Sequence, residues 1–143
     1  APPPAAAPSN VVATFEPPRL HVVRVSDNTT LVDGTVQFDG ARQYGLRMTS
    51  PRDERVYGLG EREDGELDHK RGGGSFYDFA RCHQYNATYG ERNVTNNGGT
   101  VCMPQLFSSR AYAFVWNSAA FGNVSVDAQH VQWWSHDADQ LDV

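Results

Sequence analysis

Pro104-Gln105-Leu106-Phe107-Ser108-Ser109-Arg110-Ala111-Tyr112-Ala113-Phe114-Val115-Trp116-Asn117 decides the fold class of this chain. Between Ala111 and Trp116 the side chains alternate as those of an extended strand do: Tyr112, Phe114 and Trp116 project from one face, Ala113 and Val115 from the other. Both faces are apolar, which predicts a central strand covered on both sides. Each large aromatic on such a face buries ~150–250 Å² and would anchor a core.

Working outward, the remaining periodicity is also that of strands. Leu20-His21-Val22-Val23-Arg24-Val25, Thr35-Val36-Gln37-Phe38, Tyr44-Gly45-Leu46-Arg47-Met48 and Val131-Gln132-Trp133-Trp134-Ser135 are short, largely β-branched or aromatic runs bounded by turn residues. Asp33-Gly34 and Asp39-Gly40 are dipeptides that tight hairpins prefer, because Gly tolerates positive φ. No window of a dozen residues keeps apolar positions at helical spacing, and no internal repeat is present. The expectation is an all-β, antiparallel protein: a Pro/Ala-rich extended arm over residues 1–10, then one β-sandwich domain over 11–143. The chain closes on Gln140-Leu141-Asp142-Val143, which reads as the start of a further strand, so the domain is expected to be incomplete at that end. Ala1-Pro2-Pro3-Pro4 reads as a processed or excised N-terminus.

Composition narrows the function. Of 143 residues, 39% are hydrophobic and 20% charged, with a net charge of −5, so no basic stripe exists to neutralise nucleic-acid phosphates. No apolar run approaches the 18 residues or so of a membrane span.

Val56-Tyr57-Gly58-Leu59-Gly60-Glu61-Arg62 is the second informative stretch. It is not a dinucleotide fingerprint: the third Gly is missing, no helix follows, and Glu61, Glu63 and Asp64 would repel a pyrophosphate. Gly58 and Gly60 instead permit sharp backbone turning or close approach at a sheet edge. The loop that follows, residues 61–78, is acidic and Gly-rich. Its Gly72-Gly73-Gly74 run lacks the Lys-Ser/Thr of a phosphate cradle. Its carboxylates are interleaved with Arg62, Lys70 and Arg71, which favours a solvated, ion-paired loop over a calcium site. His136 with Asp137, Asp139 and Asp142 lacks the Gly of a calcium loop. His21, His69, His83 and His130 have no ligand spacing. Neither a metal nor a cofactor is expected.

The two stretches, in this order and about fifty residues apart, resemble the N-terminal β-sandwich of glycoside hydrolase family 31, the retaining α-glucosidase and α-xylosidase group. The resemblance spans roughly residues 20–143 and is sharp only at those two motifs. It implies a galactose-mutarotase-like sandwich packed on a (β/α)₈ catalytic barrel, in the same polypeptide or a second chain. A barrel needs about 250 residues, so the catalytic carboxylates are expected outside this chain and no residue here is assigned as catalytic. The family's nucleophile motif is absent. The resemblance also implies that the 61–78 loop reaches an oligosaccharide substrate, with Asp78, in Phe76-Tyr77-Asp78-Phe79, as its substrate-binding residue. Ala111 and Ala113 stand where the family commonly has Gly, and Gln105 stands where it has a bulky apolar residue. The other reading, from a different functional class, is a non-catalytic secreted or surface glycoprotein that binds carbohydrate through the same sandwich.

Four N-x-Ser/Thr sequons, at Asn28, Asn86, Asn93 and Asn123, predict N-glycosylation and a secreted, lysosomal or cell-surface location. Cys82 and Cys102 fit such a compartment. A bridge between them is expected, closing a loop of roughly 20 residues and stabilising by about 3 kcal/mol; two buried free thiols are the alternative.

Overall fold

The computed structural model describes residues 10–40, 42–61, 67–71, 74–79, 101–118 and 122–138. Among these residues ten strands run in chain order: β1 (Val11–Glu16), β2 (Arg19–Arg24), β3 (Thr29–Phe38), β4 (Tyr44–Thr49), β5 (Val56–Glu61), β6 (Ser75–Asp78), β7 (Val101–Ser108), β8 (Tyr112–Val115), β9 (Gly122–Val126) and β10 (His130–Ser135). They form a seven-stranded sheet, in the order β1-β2-β3-β4-β10-β9-β6, and a three-stranded sheet, β5-β7-β8. Every pairing is antiparallel. The protein is an all-β antiparallel sandwich.

The core lies between the sheets. The seven-stranded sheet contributes transverse rows set by register: Val36, Leu46, Trp133 and Val124 in one, Met48, Val131 and Val126 in the next. The smaller sheet answers with Val56, Leu59, Leu106, Phe114 and, just beyond β8, Trp116. Trp133 is fully buried and sits between Trp116 (centroids 5.9 Å apart, rings 12° from parallel), Phe114 (5.6 Å) and Phe79 (6.2 Å). The Trp116 Nε1–H donates to Ser135 Oγ at 2.7 Å, a hydrogen bond that ties the two layers together inside the core. Such a bond is protected from competing water, and losing it would leave a buried donor unsatisfied.

Two expectations are corrected here. The Tyr112–Trp116 strand is not central: among the described residues β8 is the end strand of the smaller sheet and pairs only with β7. Phe114 and Trp116 are buried as expected, but Val115 is 48% exposed. Apolar character on both faces was therefore not a sign of cover on both sides; among the described residues nothing covers the second face. Asp33-Gly34 is not a hairpin turn but lies inside β3, where Gly34 makes room for the Leu46 side chain, 2.8 Å from where its Cβ would stand. Asp39-Gly40 does turn the chain between β3 and β4, with Gly40 at φ 84° and Asp39 N–H donating to Gln43 O at 3.3 Å.

Candidate functional site

The motif at β5 bends the strand rather than continuing it. Gly58, Leu59 and Gly60 all have positive φ, at 99°, 63° and 108°. For the two glycines this is unstrained, whereas for Leu59 it costs roughly 1–2 kcal/mol. The Leu59 side chain is buried in the core, which offsets that strain. Opposite them the ladder slips: Gly58 pairs with Leu106 and Gly60 with Cys102. A Cβ at Gly58 would stand 2.8 Å from Gln105 O, so both the dihedral and the space there demand Gly. The bend launches the loop whose residues 62–66 lie outside the described segments.

Where the chain returns, it is fastened down. His69 is buried, its backbone N–H donates to Val56 O at 2.8 Å, and its Nε2 lies 2.9 Å from Gly58 O, as donor in the tautomer protonated there. Lys70 Nζ donates to Ser50 Oγ and to the carbonyls of Ser50 and Pro51. Below lies a buried carboxylate, Glu54, only 3% exposed. It accepts from Ser50 Oγ at 2.7 Å, from Tyr112 OH at 2.9 Å and from Ser108 Oγ. Burial, then the neighbouring Glu54 charge, pushes the Tyr112 phenol well above its ordinary 10.0. Burial likewise pulls the Lys70 ammonium below its ordinary value, against the opposing pull of Glu54 and Asp68. Neither His69 nor Glu54 stood out in the sequence. Lone polar residues carry no periodicity, and only tertiary packing shows them to be buried.

Asp78 lies at the end of β6, the outermost strand of the large sheet beyond β9, and not in a loop as expected. It pairs with Asn123, so its side chain points to the outer face of the sheet, away from the core. Register then fixes a transverse row on that face: Asp78, Asn123, Trp134, Gly45 and Gln37. Asn123 Nδ2 donates to His136 Nε2 at 3.1 Å, and Gln43 Oε1 accepts from Trp134 Nε1 at 3.0 Å and from His136 Nδ1 at 3.2 Å. This brings together Asp78 and Trp134, which are 56 residues apart in sequence.

The other sequence candidates are scattered. Asn28 is exposed in the β2–β3 turn at φ 54°. Asn123 is half-buried within β9. Asn86, Asn93 and Cys82 lie outside the described residues, and with them the Cys82–Cys102 pairing; Asp139 and Asp142 do as well. Among the described residues no three His, Cys, Asp or Glu side chains are grouped to hold a metal ion. No helix of the described residues is long and apolar enough to cross a membrane.

The outer face of the three-stranded sheet is a different surface. Tyr57, Met103, Gln105, Phe107, Ala113 and Val115 share it by register, and Met103, Phe107 and Val115 are 51%, 47% and 48% exposed. Beside it, an apolar groove of about 510 Å³ runs between the β8 edge and the inner face of β1–β3, floored by Val11, Ala13, Leu20, Val22 and Val32.

With this geometry in place, solved structures give a clear answer. A xylosidase from Aspergillus niger superposes with a TM-score of 0.59 at 17% identity, over 88% of this chain and 18% of its own. A GH31 dextranase from Flavobacterium johnsoniae, complexed with isomaltotriose, gives 0.60 at 16%, over 90% and 17%. A GH31 α-xylosidase from a soil metagenome, complexed with xylose, gives 0.53 at 18%, over 96% and 26%. The fold is one that family 31 glycoside hydrolases contain. The chain spans between about a sixth and a quarter of the length of the structures it matches. No family model and no curated protein matches the sequence.

Proposed function

We propose that this chain is the non-catalytic, N-terminal β-sandwich portion of a retaining α-glycoside hydrolase of the α-glucosidase or α-xylosidase type. In this reading it supplies one wall of the substrate pocket and packs on the catalytic barrel. The observation that carries it is the strand bend at Gly58-Leu59-Gly60, anchored by His69 and Lys70, on a fold that glycosidases of family 31 contain. A strained, tightly held departure from a sheet is how a scaffold aims a loop. The apolar outer face of the three-stranded sheet supports a packed neighbour, since contiguous exposed apolar surface marks interaction sites. Asp78 is the residue we assign to substrate, its carboxylate accepting from a sugar hydroxyl.

The test is made on the whole polypeptide that carries this chain, assayed on aryl α-glucosides and aryl α-xylosides. Hydrolysis with retention at the anomeric centre is expected, and turnover of neither class would overturn the reading. Asp78→Asn should lower kcat/KM by about ten- to a hundredfold, the range of one hydrogen bond to a charged acceptor. The same reading puts the protein in a secretory compartment, with Asn28 as the most accessible glycan acceptor of the described sequons. Loss of a glycosidase-sensitive mass shift in Asn28→Gln checks it, and an unmodified wild-type protein counts against it.

A further inference from the structure

The outer face of the seven-stranded sheet carries an organised set of groups that neither the core nor the loop uses. Trp134 is half-buried there, and its benzene edge occupies the space above residue 45: a Cβ on Gly45 would fall 1.9 Å from Cε3. The indole is fixed in place by its Nε1–H bond to Gln43. Around it stand Asn123 and His136 on one side and Gln132, Gln37 and Arg47 on the other. Gln132 Nε2 donates to Gln37 Oε1 at 3.0 Å, while Arg47 Nη1 approaches Gln132 Oε1 at 3.5 Å. The His136 ring is held between two amides, its Nδ1 3.2 Å from Gln43 Oε1 and its Nε2 3.1 Å from Asn123 Nδ2. These bonds leave Gln43 Nε2, Gln37 Nε2 and Asn123 Oδ1 without a partner among the described residues.

We propose that this face is a binding surface for a neutral carbohydrate chain, with Trp134 as the stacking platform and the free amide groups as hydroxyl partners. The charge of the face selects the ligand. Around Trp134 its groups are amides and an imidazole; of its charges, Arg47 lies one row away, Arg19 and Asp33 pair with each other at the β2–β3 margin, and Asp78 stands at the β6 margin. A polyanion finds no stripe of cations here. A protein partner would be expected to favour an aromatic and aliphatic patch depleted in such polar groups, and that patch lies on the other sheet. A neutral polyol needs what is present: one fixed aromatic ring and donors and acceptors of both kinds within reach of it. From Trp134 to Gln37 the row crosses two strand spacings, roughly 10 Å, the scale of a short oligosaccharide. The proposal does not depend on the glycosidase reading, and the two fail separately, because binding is measured on this chain without hydrolysis.

Affinity electrophoresis of the full chain in native gels containing dextran, amylopectin or xylan tests it, with polygalacturonate as the charged control. Retardation is expected in at least one neutral polymer and not in polygalacturonate. Trp134→Ala should bind about tenfold more weakly, and Gln43→Ala, which frees the indole, should weaken binding several-fold. Near-ultraviolet circular dichroism from the buried Trp133–Trp116 pair verifies that each variant is folded. No retardation of wild type in any neutral gel overturns the proposal, as does unchanged retardation of either folded variant or retardation in polygalacturonate alone.

Discussion

Trp133 and Trp134 are neighbours in sequence and opposites in environment. Trp133 projects inward from β10, fully buried against Trp116, Phe114 and Phe79, and its Nε1 finds no hydrogen-bond partner among the described residues. Trp134 projects outward over Gly45 and has its Nε1 satisfied by Gln43. The inner ring contributes packing and tolerates an orphan N–H; the outer ring is held by its polar atom and keeps part of its surface for solvent. One face of the sheet is thus built for cohesion and the other for contact. The two outer surfaces differ as well: amides surround Trp134 on the large sheet, with Arg47 and the exposed Phe76 in the next row, while aliphatic and aromatic groups dominate the small one.

The largest expected effect tests the inner half of this contrast. Trp133→Ala should destabilise by about 3–5 kcal/mol, the usual cost of emptying an aromatic core site. Trp134→Ala should cost no more than about 1.5 kcal/mol, since it vacates no enclosed cavity. Chemical denaturation of both variants checks this, and equal losses would erase the distinction between the faces.

Gly45→Ala comes next. Its Cβ would stand 1.9 Å from the Trp134 ring, so the indole must leave its seat or the strand must shift. We expect a loss of about 1–3 kcal/mol, the range for overpacking. In the Gly45→Ala/Trp134→Ala double variant most of that loss should disappear, because the clashing ring is gone. A double-mutant cycle measures the coupling; additive effects would mean that Trp134 does not rest on Gly45.

Much of the inner face was legible in the sequence and little of the outer. Alternation at Tyr112, Phe114 and Trp116 announced strands and the buried aromatic face, because burial and period 2 are both local properties. The exposure of Val115 was not legible, since an uncovered apolar face and a covered one have the same residues. The Asp39-Gly40 turn followed from backbone chemistry, while Asp33-Gly34 misled because a Gly chosen for space beneath Leu46 looks like one chosen for φ. The Asp78–Asn123–Trp134–Gly45 row needed the register of four strands, and no single stretch carries that. Gly58 and Gly60 were read correctly as a bend, but the positive φ of Leu59 between them could not be foreseen from a residue that avoids it.

A smaller effect concerns pH and the polar knot that joins the layers beside the core. Burial and the Glu54 charge raise the Tyr112 pKa in the folded state above its ordinary 10.0. The stability this group provides is therefore fully present below pH 10.0 and lost as pH rises above it, because the unfolded chain ionises first. Lys70 works the other way: its lowered folded pKa means stability recovers as the ammonium deprotonates. Tyr112 is the more deeply buried of the two and should dominate, so the wild type loses stability on the alkaline side. Tyr112→Phe should flatten that fall while costing about 1–3 kcal/mol at neutral pH, where the Glu54 carboxylate loses a donor. Thermal melts from neutral to alkaline pH decide the matter, and an unchanged alkaline slope in the variant would exclude Tyr112 as its source.

The smallest effect lies at the far margin of the outer face. Arg19 and Asp33 form a two-pronged pair between β2 and β3, with Arg19 Nε and Nη2 donating to the carboxylate at 2.9 and 3.1 Å. The arginine side chain is 66% exposed, so solvent screens most of the attraction. Arg19→Ala should therefore cost only about 0.2–1 kcal/mol, and the loss should shrink with added salt. Comparing its denaturation midpoint at low and high ionic strength measures the screening directly. A loss larger than that of Gly45→Ala would mean that the outer face contributes to stability through its charges, and the division between a cohesive inside and a contact-making outside would have to be redrawn around Arg19.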